Sequence, residues 1–382
     1  MTGADRAAGR ATEQGTARFA ARFPDLPGHF RRPDRLSFSS LALGTRNGEA
    51  GGVDDMLYRS AVPTLLEGGV NVFASALSDR MMSSERCLGA ALARAFAEGV
   101  AARDEVILIT KGGYLSIDPE LVATRGQSRR YLMETYIESG LVDPERVVHG
   151  VHSLDGPFLR DQIERSRRNL RVETVDLYLI EEPELHLSEC SAEEFRRRLT
   201  GAFEALEGAV ADGAIAAYGL CTWDGFLRPH TDRAHLALLD VFDWALEVGG
   251  ADHHLRAVQL PYSVAMAEAF RLDSQIGPTG HTGAVLNTLR GTGTAVLASA
   301  PLVQGRALGR LPEIVSEAFP GLASDAQRCL HFVRSTPEVT SAVVGMRDPD
   351  HVDENLALAR IAPAGAEAIE TLFKQAATRP GR

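Results

Sequence analysis

Residues 68–89 read GGVNVFASALSDRMMSSERCLG. A glycine pair precedes the short apolar run Val70–Phe73, and such a run predicts a buried strand. After a polar segment, Ser84–Glu98 carries apolar residues at helical spacing. This order of strand, loop and helix predicts one unit of a βα architecture.

The same alternation recurs along the chain. Seven further apolar runs predict strands at Ser37–Leu43, Val106–Ile109, Val175–Ile180, Ile215–Leu220, Ala257–Leu260, Ala295–Ala298 and Ser341–Val344. Helical patterns between them include Pro157–Leu170, Ala192–Asp212 and Ser324–Ser335. Eight strands that alternate with helices predict an α/β fold, a (β/α)8 TIM barrel that forms one domain over residues 31–382.

Two segments depart from this simple pattern. Gly112–Asp155, after the third strand, is longer than an ordinary connection and contains a helical pattern at Ser128–Ser139. A long loop at this end of a barrel strand predicts a segment that shapes a substrate site, and an insertion without function is the alternative. Residues 1–30 are predicted to be a flexible arm, because Met1–Gln14 is polar and lacks a hydrophobic stretch.

Composition excludes several classes of partner. The chain has 382 residues, of which 45% are hydrophobic, and a net charge of −11. A negative chain is a poor ligand for nucleic acid or an anionic membrane, and no apolar run approaches the roughly 18–20 residues of a membrane span. We therefore predict a cytoplasmic protein with a small-molecule substrate, whose oligomeric state stays open.

No metal site or disulfide framework is predicted. The four cysteines have no CxxC spacing and are expected to be reduced thiols: Cys87, Cys190, Cys221 and Cys329. Asp252-His253-His254 is a tempting pair of ligands, but adjacent side chains point in different directions and no third ligand follows. We interpret it as a surface loop.

Seven motifs in chain order make the sequence resemble the aldo/keto reductases. They are Gly68–Phe73 with Ser84-Glu85 and Leu88-Gly89, Ile107–Lys111, Val175–Ile180, Tyr218–Leu220, Val258–Tyr262, Ser299–Leu302, and Val344–Arg347 with Glu354-Asn355. The resemblance extends from Leu36 to Leu358. It implies a barrel that binds NADPH and carries four catalytic residues at its strand ends. A tyrosine donates a proton, a lysine held by an aspartate lowers its pKa, and a histidine binds the carbonyl oxygen.

Only one of these four positions keeps the residue of the family. The aspartate falls on Ala74, the tyrosine on Asp79 and the histidine on Glu181, whereas the lysine is retained as Lys111. The first motif aligns without a gap, so these differences are not errors of register. The resemblance therefore implies a reductase scaffold with a changed catalytic site.

The cofactor positions are changed as well. Gln259 is retained and Thr222 stands where polar side chains hold the nicotinamide amide, but Ser299 replaces the aromatic ring that stacks under the nicotinamide. The positions that grip the ribose phosphate are matched by Arg347, Glu354 and Asn355. The expected cofactor is therefore none or NADP(H).

Asp79, Lys111 and Glu181 are the predicted catalytic residues. Two crowded carboxyl groups cannot both ionise easily, so one keeps a proton near neutral pH. An acid and a base side by side predict non-redox chemistry, namely cyclisation, isomerisation or elimination of a small carbonyl compound. A composition rich in Ala, Arg and Gly makes bacterial secondary metabolism a hypothesis for its setting.

Other functions remain open from the sequence. The chain could be an NADPH-dependent reductase of a carbonyl or an enone with a modified proton donor, since enone reductases of the family also place glutamate at the position of Glu181 while keeping the tyrosine. It could be a non-catalytic binding or regulatory protein, and its three charges could form an inert salt bridge. A Schiff base at Lys111 is opposed by the neighbouring carboxylates. Predicted substrate contacts are His152, Tyr114, Trp223 and Glu182.

Overall fold

Eight parallel strands close into a barrel in the computed structural model, which describes residues 6–122, 124–277 and 280–378. The strands are β1 Leu41–Gly44, β2 Val72–Ala74, β3 Ile107–Gly112, β4 Val175–Glu181, β5 Ile215–Cys221, β6 Leu255–Pro261, β7 Ala295–Ser299 and β8 Ser341–Val344. Each strand pairs in parallel with its neighbours in the order β1 to β8, and β8 closes on β1. The predicted (β/α)8 barrel is confirmed.

Helices cover the outside of the barrel. They are α1 Glu13–Ala21, α2 Gly52–Glu67, α3 Ser83–Ala97, α4 Arg125–Leu132, α5 Gly156–Leu170, α6 Ala192–Ala211, α7 Leu238–Gly249, α8 Glu268–Arg271, α9 Val285–Leu289, α10 Glu313–Ala318, α11 Asp325–Ser335, α12 Pro349–Ala359 and α13 Ala366–Thr378. Two short hairpins pair Phe30–Arg31 with Phe38–Ser39 and Gln275–Ile276 with Thr282–Gly283. Within the described ranges, no helix is long and apolar enough to cross a membrane.

Side chains alternate between the barrel lumen and the helix layer. Ile107 and Ile109 of β3 and Leu179 of β4 belong to an inner apolar cluster, which is distinct from the cluster between strands and helices. Continuing the period of two along each strand directs Lys111 and Glu181 into the lumen at its carboxyl end. The register that buries the apolar residues therefore also brings these charges together.

The long loop after β3 is folded rather than open. It contains α4 and a π-helical turn, Met133–Ile137. Tyr136 in that turn is fully buried, its ring lies 5.3 Å from that of Phe158 on α5, and its hydroxyl donates to the Ser116 carbonyl at 2.6 Å. The loop is thus packed against the outer helix layer by an aromatic side chain.

The amino-terminal segment differs from the predicted flexible arm. Residues 6–30 dock against the amino-terminal end of the barrel, while residues 1–5 lie outside the described residues. The backbone N–H of Ala11 donates to the buried Asp176 carboxylate at 2.6 Å, and Phe19 of α1 is fully buried. Thr12 caps the start of this short helix, and Phe19 packs against Phe23, which lies two residues after the helix ends. The polar composition concealed both signals.

Replacing Phe19 with alanine should therefore destabilise the whole barrel. Loss of a fully buried phenylalanine costs about 3–5 kcal/mol, and the unfolding free energy in urea measures it directly. Gln14→Ala, at an exposed position of the same helix, is the matched control and should leave stability unchanged. Equal stability of the two variants would mean that α1 is not part of the folded core.

Candidate active site

Three charged side chains meet at the carboxyl end of the barrel. Lys111 ends β3, Glu181 ends β4, and Asp79 lies in the loop between β2 and α3. Their exposed fractions are only 7%, 3% and 6%, so all three are held away from bulk water. Catalytic groups of barrel enzymes lie at this end of the strands.

Lys111 supplies the positive charge at the centre of this group. Its ammonium donates a hydrogen bond to the backbone carbonyl of Ser75, with an N–O distance of 2.9 Å. Burial lowers the pKa of Lys111, but the negative charges of Asp79 and Glu181 raise it by more than burial lowers it. The net shift is therefore upward. The ammonium therefore stays charged and opposes a role as a Schiff-base nucleophile.

Asp79 is held by an unusual backbone turn. The next three residues, Arg80, Met81 and Met82, have φ of 48°, 50° and 64°. Residues other than glycine rarely adopt this left-handed backbone conformation, because it costs them roughly 1–2 kcal/mol each. The Arg80 guanidinium holds the turn by donating to the Glu49 carbonyl at 2.9 and 2.6 Å and by pairing with Asp55.

The Asp79 carboxyl retains its proton more readily than an ordinary aspartate. Burial raises its pKa to about 6, Lys111 and Arg46 lower it, and the nearby Glu181 charge raises it. Asp79 can therefore act as an acid in mildly acidic to neutral solution. Burial contributes most to this shift, and the crowding of the two carboxyl groups adds to it.

Glu181 is oriented by contacts from three directions. The Ser78 hydroxyl donates to its carboxylate at 3.2 Å, and the Arg46 guanidinium lies 3.7 Å away. Its backbone carbonyl accepts a hydrogen bond from His152 Nε2 at 2.7 Å. Glu181 thus faces both Lys111 below and Arg46 above.

His152 is not the substrate contact that the sequence predicted. It is fully buried, and its Nδ1 lies 3.0 Å from His186 Nε2. His186 Nδ1 in turn accepts from Arg198 at 3.1 Å. Both ring nitrogens of His152 are therefore occupied, and burial lowers its pKa to about 4 and that of His186 to about 2.

The remaining predicted contacts surround the same opening. Trp223, two residues after the end of β5, is 51% exposed, whereas the Tyr114 hydroxyl donates a hydrogen bond to Glu182. Sequence reasoning missed Glu184, which accepts from the Trp223 backbone N–H at 2.6 Å and whose pKa burial raises to about 7. It also missed Arg46, because nothing in a single arginine of a glycine-rich loop points to a site.

Two polar side chains at the candidate nicotinamide position have no partner. Thr222 and Gln259 are 2% and 4% exposed, and Thr222 Oγ1 and Gln259 Oε1 are buried without a hydrogen bond from the described residues. Gln259 pairs in register with Cys221, which itself pairs with Glu181. A buried polar atom without a partner is costly, so this adjacent pair fits an amide ligand.

The candidate ribose-phosphate position follows β8. Arg347 Nε contacts the Asp54 carboxylate at 2.5 Å, so one face of its guanidinium is already engaged. Glu354 accepts from Ser324, and Asn355 is buried in α12. A phosphate at Arg347 would share the guanidinium with Asp54.

The predicted surface histidines do not gather metal ligands. His254 Nδ1 lies 2.7 Å from the Glu207 carboxylate. Across residues 6–122, 124–277 and 280–378, no group of three His, Cys, Asp or Glu side chains could hold a metal ion. The four cysteines are free, and three of them are buried.

Comparison with known families and structures agrees with the barrel. Residues 40–227 match the family model described as the Aldo/keto reductase family. No curated protein sequence matches the chain closely enough to count as a relative.

Solved structures of similar fold cover nearly the whole chain. An aldo/keto reductase from Klebsiella pneumoniae in complex with NADP and acetate has 19% identity and a TM-score of 0.59, covering 93% of this chain and 97% of that one. An aldo-keto reductase from Bacillus halodurans in its holo form has 18% identity and a TM-score of 0.59, covering 90% and 95%. A glycerol dehydrogenase from Gluconobacter oxydans has 19% identity and a TM-score of 0.62, covering 93% and 98%. At this identity, the likeness establishes the fold.

Asp79→Asn should stabilise the protein at neutral pH. The pKa of Asp79 rises from 3.8 to about 6 on folding, so above about pH 4 the unfolded state loses its proton more readily than the folded state. This difference disfavours folding and grows until the pH passes about 6. The variant should gain about 2–3 kcal/mol at pH 7 and almost nothing near pH 3, where the carboxyl is largely protonated in both the folded and the unfolded state. Urea unfolding at both pH values measures the difference.

The exposed Asp353 of α12 offers the control. Asp353→Asn should show no comparable dependence on pH. A gain for Asp79→Asn that is equal at both pH values would contradict a raised carboxyl pKa.

Proposed function

We propose that this chain, whose residues 40–227 match the aldo/keto reductase family model, is an NADP(H)-dependent reductase in which Asp79 replaces tyrosine as the proton donor. The observation that carries this proposal is that two unpartnered polar atoms, Thr222 Oγ1 and Gln259 Oε1, lie at the same end of the barrel as a buried carboxyl whose pKa is about 6. The comparisons favour this reaction over the non-redox chemistry predicted from the sequence, since a similar structure was obtained with NADP.

The residues present fit the nicotinamide end of the cofactor. Gln259 Oε1 can accept from the carboxamide NH2 group, and the Thr222 hydroxyl can donate to its carbonyl. Arg347 would contact a phosphate at the opposite end with the guanidinium nitrogens that Asp54 does not engage. When bound, the cofactor supplies a hydride.

Asp79 and Lys111 would complete the reduction of a carbonyl group. The Lys111 ammonium, which donates one of its three protons to Ser75, can donate another to the substrate oxygen as negative charge develops there. The protonated Asp79 carboxyl would transfer its proton to that oxygen, so a ketone gains one hydride and one proton and becomes an alcohol. Asp79 is left as a carboxylate and regains a proton from solvent.

Glu181 has a supporting role in this scheme. Its charge raises the pKa of Asp79 and so keeps the acid form populated. It also lies where the sequence motif places the carbonyl-binding histidine, and the enone reductases that the sequence resembles have a glutamate at this position. We therefore include C=C reduction with C=O reduction in the proposal.

A non-redox acid–base reaction is the second candidate. The observation in its favour is that Asp79 and Glu181 interact electrostatically with each other and with Lys111. The two carboxyl groups would supply an acid and a base without a cofactor. Ser299, at the end of β7, also stands where the family places an aromatic ring that stacks on the nicotinamide, so this position offers no ring to stack on it. Cofactor binding separates the two candidates.

Loss of the Gln259 acceptor should weaken NADPH binding. We expect Gln259→Leu to raise the dissociation constant about tenfold, because one buried hydrogen bond is lost. Quenching of protein fluorescence by NADPH measures it. Gln14→Leu, at an exposed position near the opposite end of the barrel, is the control. Absence of binding in the wild type at millimolar NADPH would reject the reductase and leave the non-redox reaction.

The rate of reduction should depend on the protonation of Asp79. Its acid form is lost as the pH rises through about 6, so kcat/KM should fall about tenfold per pH unit above that value. The groups that face Asp79 are Lys111, Glu181 and Arg46. Because Glu181 raises the Asp79 pKa, Glu181→Gln should move the fall to lower pH, which steady-state rates of NADPH oxidation would record. A flat profile from about pH 5 to pH 8 would exclude Asp79 as the donor.

A further inference from the structure

Arg46 lies at the mouth of the candidate site and has no role in the reaction described above. It belongs to the loop between β1 and α2, and its side chain is 73% exposed. Its guanidinium lies 3.7 Å from the Glu181 carboxylate, on the solvent side of the buried Asp79 and Lys111. An exposed cation therefore stands at the entrance to a site whose reacting groups are buried.

The backbone on both sides of Arg46 is fixed. Before it, the Thr45 hydroxyl donates to Ser75 Oγ at 2.9 Å, and the Thr45 carbonyl accepts from Ser84 at 2.7 Å. After it, the Asn47 carbonyl accepts from the Tyr58 hydroxyl at 2.9 Å. An exposed arginine is usually mobile, but here both of its chain neighbours are anchored to the barrel.

The loop is tied a second time, at Glu49. Its N–H donates to the Asp54 carboxylate at 2.7 Å, and its carbonyl accepts from Arg80, the residue after Asp79. The same contacts that hold the Asp79 turn therefore hold the loop that carries Arg46. The relative position of the two side chains is built into the fold.

The contact between Arg46 and Glu181 is easily exchanged. A nitrogen–oxygen distance of 3.7 Å is too long for a good hydrogen bond, and the Arg46 side of the pair is exposed to water, which weakens the attraction. The five N–H donors of a guanidinium form a planar fork that matches a carboxylate or phosphate. A ligand anion that enters the site can therefore accept hydrogen bonds from the guanidinium N–H groups that do not contact Glu181.

We propose that Arg46 binds an anionic group of the substrate, so that the substrate is a carbonyl compound or enone with a carboxylate or phosphate a few bonds from its reacting carbon. This inference rests on the proposed reductase function. The short span follows from the contact of Arg46 with Glu181, which itself neighbours Lys111 and Asp79. The lysine and arginine charges would flank the two ends of the substrate, and Glu181 would lie between them.

Electrostatics at the mouth is compatible with an anion. Glu182, the next carboxylate along the chain, accepts the hydroxyl proton of Tyr114. Asp79 adds little repulsion while it holds its proton, which is the form that the reaction uses. An anion at Arg46 would thus meet one cation directly and the neutral acid Asp79, and it would displace the Glu181 carboxylate from the guanidinium while staying close to it.

Matched acids and esters test this inference. The probes are 2-oxobutanoate and 4-oxopentanoate, the methyl ester of each, and dihydroxyacetone phosphate. Binding is followed by quenching of tryptophan fluorescence, to which the exposed Trp223 contributes, with and without NADP+. NADPH oxidation is measured with the same compounds. The variants are Arg46→Gln, Arg46→Lys and the control Arg94→Gln, which removes an equally exposed arginine from the last turn of α3.

At least one anion should bind to the wild type about ten- to hundredfold more tightly than its neutral counterpart, since a charged hydrogen bond is lost in the ester. Arg46→Gln should remove that preference, Arg46→Lys should keep part of it, and Arg94→Gln should keep all of it. Preference for a keto acid or for the phosphate identifies which anion is bound. Equal binding of acids and esters, no binding of any anion, or equal losses in Arg46→Gln and Arg94→Gln would overturn the proposal.

The two proposals fail in different ways. Binding of anions through Arg46 without NADPH oxidation by any probe, combined with no binding of NADPH, would support the anion site and reject the reductase. NADPH oxidation that is equally fast with esters and insensitive to Arg46→Gln would support the reductase and reject the anion site.

Discussion

A buried positive charge at Lys111 organises the mouth of this barrel. An ammonium out of contact with water is stable only where dipoles and opposite charges surround it, and here it has the Ser75 carbonyl, Asp79 and Glu181. Two carboxyl groups around one cation leave an excess of negative charge, so one of them holds its proton more tightly. Burial is the main cause of the raised pKa of Asp79, the Glu181 charge adds to it, and the Lys111 and Arg46 charges oppose it.

Much of this arrangement follows from the strands and could be predicted. The period of two that buries Ile107 and Ile109 also turns Lys111 inward. The order of the motifs predicted a closed barrel, and the strands do close into one. Loop geometry could not be predicted in the same way. Arg46 owes its place to tertiary contacts of Thr45 and Glu49, and the left-handed turn after Asp79 has no glycine to signal it. The amino-terminal segment was misjudged because a few buried aromatic side chains outweigh its polar composition.

The two ends of the candidate cofactor site differ in how they are prepared. Thr222 and Gln259 present atoms without partners, whereas Arg347 is already paired with Asp54. Asp54 and its neighbour Asp55 stand in the first turn of α2 and hold two arginines, Arg347 and Arg80, whose guanidiniums lie 6.0 and 5.0 Å from the Tyr58 ring. One turn of helix therefore supports the phosphate end, the Asp79 turn and the loop of Arg46 together.

The proposed reduction depends on an Asp79 carboxyl whose pKa is raised to about 6, in a site that binds NADP(H). Carbon-13 NMR of protein labelled at the aspartate carboxyl groups tests it directly, with Asp79→Asn used to assign the resonance. We expect a resonance that titrates near pH 6, is absent from the variant, and shifts when NADP+ is added. A resonance that titrates near pH 4 and is unaffected by NADP+ would contradict it.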